Sequence, residues 1–327
     1  MAARLLVVLL VVLLALPLIG CGRTRPKSEP AATGPADTGA FEEEALSGKI
    51  RADGSSTVGP LITLAAERFR MEEPDVRVTV GISGTGGGFE RFCRGETDIS
   101  NASRPIEDDE KALCEKKGID FIELQVANDG LSVVVNPGNT WANCLTVDQL
   151  KRIWQPGSKV STWQEVDDQF PDDELSLYGP GTDSGTFDYF TDAIVGEEGA
   201  SRGDYTASED DNVIVRGVAG DKGALGYLGL SYLESNKKNL KAVEIDGGDG
   251  CVAPSIETVQ DGMYKPLSRT LFVYIKTSSL GRLEVETFAA YLLDNADSLA
   301  RGALFVPLTP DQLDEAYSVL DGASAGG

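Results

Sequence analysis

The sequence predicts an α/β fold of two lobes. Three times a short apolar strand runs into a loop of hydroxyls and glycines that opens a helix. The strands are Lys49–Asp53, Val76–Ile82 and Leu175–Tyr178. Their loops are Gly54-Ser55-Ser56-Thr57, Ser83-Gly84-Thr85-Gly86-Gly87-Gly88 and Gly179–Thr186. The segments that follow carry apolar residues at helical spacing, as at Leu61, Leu64, Ala65 and Phe69. Past an N-terminal leader and tether remain roughly 280 residues, enough for two lobes of ordinary size.

Residues 1–20 place Arg4 before an apolar run from Leu5 to Ile19, the layout of a signal peptide. At about fifteen residues the run is short for a membrane span. Leu18-Ile19-Gly20-Cys21 resembles the bacterial lipobox, which implies cleavage before Cys21 and lipidation of that cysteine. Residues 21–47, rich in Pro, Gly, Ala, Thr and Glu, read as a flexible tether, and the fold is expected to begin near Gly48.

Composition removes several function classes. A net charge of −23 opposes binding to nucleic acid, whose backbone demands a Lys/Arg surface. It does not oppose a small anion held in a closed cleft, because surface carboxylates are screened beyond about 8–10 Å. There is no histidine, so a Ser-His-Asp triad, a Cys-His pair and His-ligated metals are all excluded. Apart from Cys21, four cysteines remain: Cys93, Cys114, Cys144 and Cys251. In an exported chain an even number points to two disulfides. Three pairings are open; Cys93–Cys114 with Cys144–Cys251 is favoured. A four-thiolate zinc site is the alternative, and no CxxC pair supports it.

The glycine loop at Ser83–Gly88 leaves backbone N–H groups bare at a helix N-terminus, where the helix dipole favours an anion. The loop lacks the Gly-Lys-Ser/Thr of a P-loop and the trailing acidic residue of a dinucleotide fingerprint. In the first loop Ser56 or Thr57 could cap its helix, but capping explains one hydroxyl of three. Ser103 and Arg104 follow a strand at Ile99, and arginine's planar fork suits an oxyanion. A surface salt bridge is the competing reading for Arg104.

Further on, Val126–Gly130 leads into an apolar strand over Leu131–Asn136, and Leu145–Trp154 reads as an amphipathic helix. The third loop precedes a helix over Phe187–Val195. Gly217–Gly229 holds a strand return at Gly226-Tyr227, Leu271–Ile275 is a strand, and Leu283–Leu293 is an amphipathic helix. Val306-Pro307-Leu308 reads as the terminal element, with a disordered tail over 321–327. Residues 48–128 and 253–320 are assigned to lobe I and 129–252 to lobe II.

The segments GSSTVGP, ISGTGGGFERF, DISNASRPI, VANDGLSVVVNP, LTVDQLKRIW and GTDSGTFDYF resemble, in that order, the phosphate-binding lipoproteins of bacterial phosphate ABC transporters. The resemblance spans Gly48 to about Leu308. It implies a type-II periplasmic-binding-protein fold, with two α/β lobes joined by crossing strands and closing over one anion. It implies contacts from Ser56, Thr57, Ser83, Ser184, Gly185 and Thr186. Gly84, Ser103, Arg104 and Asp129 complete the candidate set.

Two positions depart from the best-known members. Pro180 stands where they carry an arginine, and Arg104 where they carry an aspartate. The basic group is therefore expected on the other lobe, and Asp129 or Asp183 is expected to supply the carboxylate. That carboxylate would accept the proton phosphate keeps at neutral pH, and would face only lone pairs on sulfate.

The implied function is capture of inorganic phosphate for the transmembrane permease of an ABC transporter. The chain is expected to be a monomer on the extracytoplasmic face, held to the membrane by lipid, with no cofactor, metal or nucleic acid. The alternatives are another oxyanion (sulfate, molybdate, phosphonate), a phosphate sensor, or a hydrolase using Ser184. The last has no histidine or evident lysine to serve as base.

Overall fold

The computed structural model describes residues 45–324. The signal peptide, Cys21 and nearly all of the tether lie outside the described residues.

Twelve strands occur in the described chain. They are β1 (Gly48–Gly54), β2 (Val76–Val80), β3 (Ile99–Ala102), β4 (Phe121–Val135), β5 (Cys144–Thr146), β6 (Ser176–Gly179), β7 (Thr206–Ala207), β8 (Ala224–Gly229), β9 (Lys241–Ala242), β10 (Glu244–Asp246), β11 (Cys251–Val252) and β12 (Ser268–Lys276). Nine form one sheet in the order β2-β1-β3-β12-β4-β8-β6-β7, with β9 also on β4; β11-β10-β5 form a small second sheet.

The join between the lobes is the 15-residue strand β4. Its first part, Phe121–Gly130, pairs antiparallel with β12, and its last part, Leu131–Val135, pairs with β8. Apolar residues on either side feed separate cores. Ile50, Leu61, Phe69, Ile99, Val273, Phe288 and Leu292 pack in one, and a small aromatic cluster of Phe89, Phe92 and Tyr274 adjoins it. Leu131, Trp154, Trp163, Phe190, Tyr227 and Ile245 pack in the other. Two cores bridged by crossing strands give the two-lobe α/β architecture expected.

Several boundaries differ. Val126–Gly130, read as a lead-in, is itself strand, because β12 pairs with Ala127–Gly130, past a register shift at Val126, and overrides the weak β-propensity of Asn128, Asp129 and Gly130. The glycine run is the first turns of a helix, Gly84–Cys93, and not a loop; Gly84 enters it with φ of +76°. Val259, Tyr264 and Leu267 pack into the second core, so this part of 253–320 joins lobe II before β12 returns to lobe I. A helix over Pro310–Ser324 follows Val306-Pro307-Leu308 and runs into the segment expected to be disordered from Asp321. It does so because Ala316 and Leu320 are buried against the first core.

Both favoured disulfides are formed. Cys93–Cys114 has a Cα–Cα separation of 4.3 Å, and Cys144–Cys251 one of 6.0 Å. The second ties β5 to β11, the two edges of the small sheet.

Candidate anion site

The first and third loops meet between the two cores. In the first, Ser55 fixes the turn that leads into the helix. Its buried Oγ accepts from Thr57 N (3.2 Å) and Val58 N (3.4 Å), at the start of the helix Gly59–Glu72. Ser56 and Thr57 are thereby released for other partners. Ser56 Oγ donates to Asp188 Oδ2 across the cleft at 3.2 Å. Thr57 lies against Gly185, where a Cβ would fall 2.8 Å from Thr57 Oγ1 and 3.1 Å from its Cα. Only glycine permits that approach.

The other serines turn to local work. Ser184 Oγ accepts from Thr186 N and caps the helix Gly185–Phe190. Ser83 Oγ donates to buried Asp53 at 2.7 Å, and Arg91 pairs with the same carboxylate. This fixes the turn while Gly84 and Thr85 face the cleft. Thr85 Oγ1 lies 3.1 Å from Ser103 Oγ.

A guanidinium that the sequence reading missed stands at the centre. Arg269, on β12, is the cross-strand neighbour of Asp129 on β4. Its Nε donates to Asp129 Oδ2 at 3.2 Å and its Nη2 to Thr57 Oγ1 at 2.8 Å. Its plane lies 3.6 Å from the ring centre of Tyr189, a cation–π contact. Tyr189 is fixed in turn by donation to Pro266 O at 2.8 Å. An arginine opening the otherwise apolar run Leu271–Ile275 was the available signal.

Arg104 lines the cleft and also makes the salt bridge that was its competing reading. Its fork is held by Glu110, Nη1 at 2.8 Å and Nη2 at 2.9 Å, with Glu107 3.2 Å from Nε. The ion pair with Glu110 holds the guanidinium firmly protonated. Burial pushes Asp129 up and Arg269 pulls it down. Asp183 lies at the surface, with its N–H donating to Glu209.

These groups surround two cavities that share Ser56 and Thr57. The larger, about 320 Å³, is lined by Gly84, Thr85, Ser103, Arg104, Ser268 and Arg269, and by the carboxylates Asp188, Asp192 and Glu198. Burial raises Asp188 and Glu198 above the usual carboxylate range, and neighbouring Asp188 and Asp192 raise Glu198 further. The smaller, about 160 Å³, is lined by Asp129, Gly185, Thr186 and Asp211. Of the candidate set, Ser83 and Ser184 line neither. The one cluster of potential metal donors among the described residues is Cys144, Glu244 and Cys251. Its sulfurs are joined in a disulfide and are not thiolate ligands.

Two lobes with convergent hydroxyls, helix N-termini and a fixed guanidinium invite comparison with known proteins. Residues 39–296 match the family described as the PBP superfamily domain. Among relatives, the chain is 47% identical to Protein SphX of Synechococcus elongatus over 270 residues, 82% of this chain and 80% of that protein. It is 40% identical to the phosphate-binding protein PstS of Staphylococcus saprophyticus over 292 residues, 88% of each. The chain belongs to the PstS-like family of phosphate-binding proteins. Its fold matches a structure described as a possible phosphate binding protein from Planctomyces limnophilus, with TM-score 0.82, 46% identity, and coverage of 85% of this chain and 99% of that one. An ABC-type phosphate transport receptor from Vibrio cholerae, 21% identical, shares the fold at TM-score 0.61, with 80% and 100% covered. The PstS-like relatives are binding proteins by name. Among the described residues no helix is long and apolar enough to cross a membrane.

Proposed function

We propose that this chain captures inorganic phosphate outside the membrane and hands it to the permease of an ABC transporter. The observation that carries the reading is the cleft lined by Ser56, Thr57, Thr85, Ser103 and Arg269. These are hydroxyl and guanidinium donors held on lobe I and facing lobe II across the cleft, in a family named for binding phosphate. The Ser56–Asp188 bond and the Thr57–Gly185 approach belong to the closed arrangement that a hinge motion would form and a permease would read.

Selectivity over sulfate rests on a carboxylate that accepts the proton of phosphate. Asp129 and Asp183 were the sequence candidates. Asp129 is engaged by Arg269, and Asp183 does not line the larger cavity. Asp188 is the better candidate: it lines that cavity, and its Oδ2 already accepts from Ser56. Against sulfate the Asp188 carboxylate faces only lone pairs, and its half-buried charge stands beside a dianion that offers it no proton.

A hydrolase reading has less support, since Ser184 caps its helix and the chain has no histidine to act as its base. On this reading the protein acts as a monomer at the extracytoplasmic face, anchored by lipid on Cys21. Calorimetric titration of the anion-stripped domain with phosphate, then sulfate, near neutral pH tests it. One-to-one phosphate binding without sulfate heat is expected. Binding of neither anion would remove the proposed function.

A further inference from the structure

A third cavity, about 340 Å³, opens beside the one of about 320 Å³ and shares Ser103, Arg104, Ser268 and Arg269 with it. The two differ sharply in charge. Three carboxylates line the inner cavity. None lines the outer one, and Lys265 is added there to the two arginines. In a chain with net charge −23 such a surface is conspicuous.

The ion pairs sharpen the contrast. Arg104 and Arg269 are each neutralised, by Glu110 and Asp129, but neither of those carboxylates lines the outer cavity. Lys265 is exposed and makes no ion pair among the described residues. Asp246, beside the Gly247 that packs against Lys265, is turned onto Gly248 N (2.8 Å) and Gly250 N (3.1 Å). Ser268 Oγ is buried between the two cavities and has no hydrogen-bond partner. A buried hydroxyl without a partner carries a cost that an adjoining anion would relieve.

We propose that this outer cavity is a cationic vestibule, a staging site for an oxyanion on its way to the inner site. The proposal rests on the phosphate-binding reading above. An anion arriving from the lobe II wall meets Asp188, Asp192 and Glu198. One arriving past Lys265 meets donors only, and Arg104 and Arg269 reach it in both cavities. Lys265 acts by steering and does not hold the bound anion, so its effect falls on association.

The test is stopped-flow phosphate binding to the full folded domain, followed by an environment-sensitive dye on the lobe rim. Lys265→Gln is compared with Lys49→Gln at low and high salt. Lys49 is likewise exposed and without an ion pair, and it sits at the end of β1 remote from the cleft. Removing one steering charge beside the path of a phosphate dianion lowers the association rate by about two- to fivefold. The expected result is that loss for Lys265→Gln at low salt, an unchanged dissociation rate, and convergence with the parent at high salt.

An unchanged association rate overturns the vestibule. So does an equal loss in Lys49→Gln, which would mark a net-charge effect, or a change confined to dissociation, which would make Lys265 a direct ligand. In each of these cases phosphate binding itself stands. Failure of the unsubstituted protein to bind phosphate is a separate outcome that strikes the underlying function, and the vestibule with it.

Discussion

Gly185 opens the helix Gly185–Phe190 with its Cα pressed on the first loop of the other lobe. Its φ is not in the left-handed region, so alanine suits the backbone, and in a helix alanine is better than glycine by up to about 1 kcal/mol. Gly185→Ala is therefore expected to leave the ligand-free protein as stable as the parent, or slightly more stable. What it cannot do is allow the same approach. The new methyl would sit 2.8 Å from Thr57 Oγ1, 3.1 Å from Thr57 Cα and 3.2 Å from Thr57 N, and two of those three atoms are backbone. Overpacking of this kind costs about 1–3 kcal/mol. The cost falls on the closed state alone, because only there do the lobes meet. Phosphate affinity should drop by about 5- to 150-fold. Calorimetric titration gives the affinity, and a thermal melt without phosphate gives the reference. Unchanged affinity would refute the idea that this contact belongs to the bound state. A large fall in the ligand-free melting temperature would show a folding defect instead.

Asp188→Asn should narrow the preference for phosphate over sulfate by at least tenfold, measured by titration with both anions, because the amide can donate to an anion that has no proton to offer. Asp211, at the start of the helix Asp211–Gly220, is pushed up to about 6, first by burial and then by Asp210 and Glu209. A carboxyl raised on folding binds more protons folded than unfolded. It therefore contributes stability below about pH 4 that is lost as pH rises to about 6. Urea unfolding should show that component, and Asp211→Asn should flatten it. The Cys144–Cys251 bridge closes a sequence separation of 107 residues. Replacing both cysteines with serine should cost about 4–5 kcal/mol on the chain-entropy estimate, read by chemical denaturation.

What could be read from the sequence was local. The loops at Ser55–Thr57 and Gly179–Thr186 announce themselves because hydroxyls and glycines next to an apolar strand have few other uses. The long strand β4 was hidden for the opposite reason. Asn128, Asp129 and Gly130 look like turn residues, and only β12, about 140 positions later, makes them strand. Arg269 was missed through the same separation. Its partners, Asp129 and Thr57, lie 140 and 212 residues away. Arg104 was visible, but its pairing was not obvious. Glu110, which holds it, is the third residue of the helix Asp108–Lys116 and also accepts from Glu107 N. With Glu107 at the N-cap in place of the usual Ser, Thr, Asp or Asn, the capping box that fixes Glu110 has no sequence signature.

The pairing of both cleft arginines bears on how so acidic a protein can hold an anion. Arg269 with Asp129, and Arg104 with Glu110, are neutral as pairs, so neither offers a phosphate a net positive charge. Each partner instead fixes the direction of its guanidinium, and the donors not spent on it remain pointed. On the proposed reading, binding then comes from oriented donors and helix N-termini inside a closed cleft, where little ordering remains to be done on arrival. Pairs of this kind release few counterions when phosphate binds. Equilibrium affinity should therefore depend on salt only as far as the association rate does, through the unpaired charge of Lys265, with the dissociation rate nearly constant. A cleft that relied on net charge to hold the anion would also release it faster as salt increased. One that binds through pointed donors keeps its dissociation rate, and the difference can be measured on the unsubstituted protein.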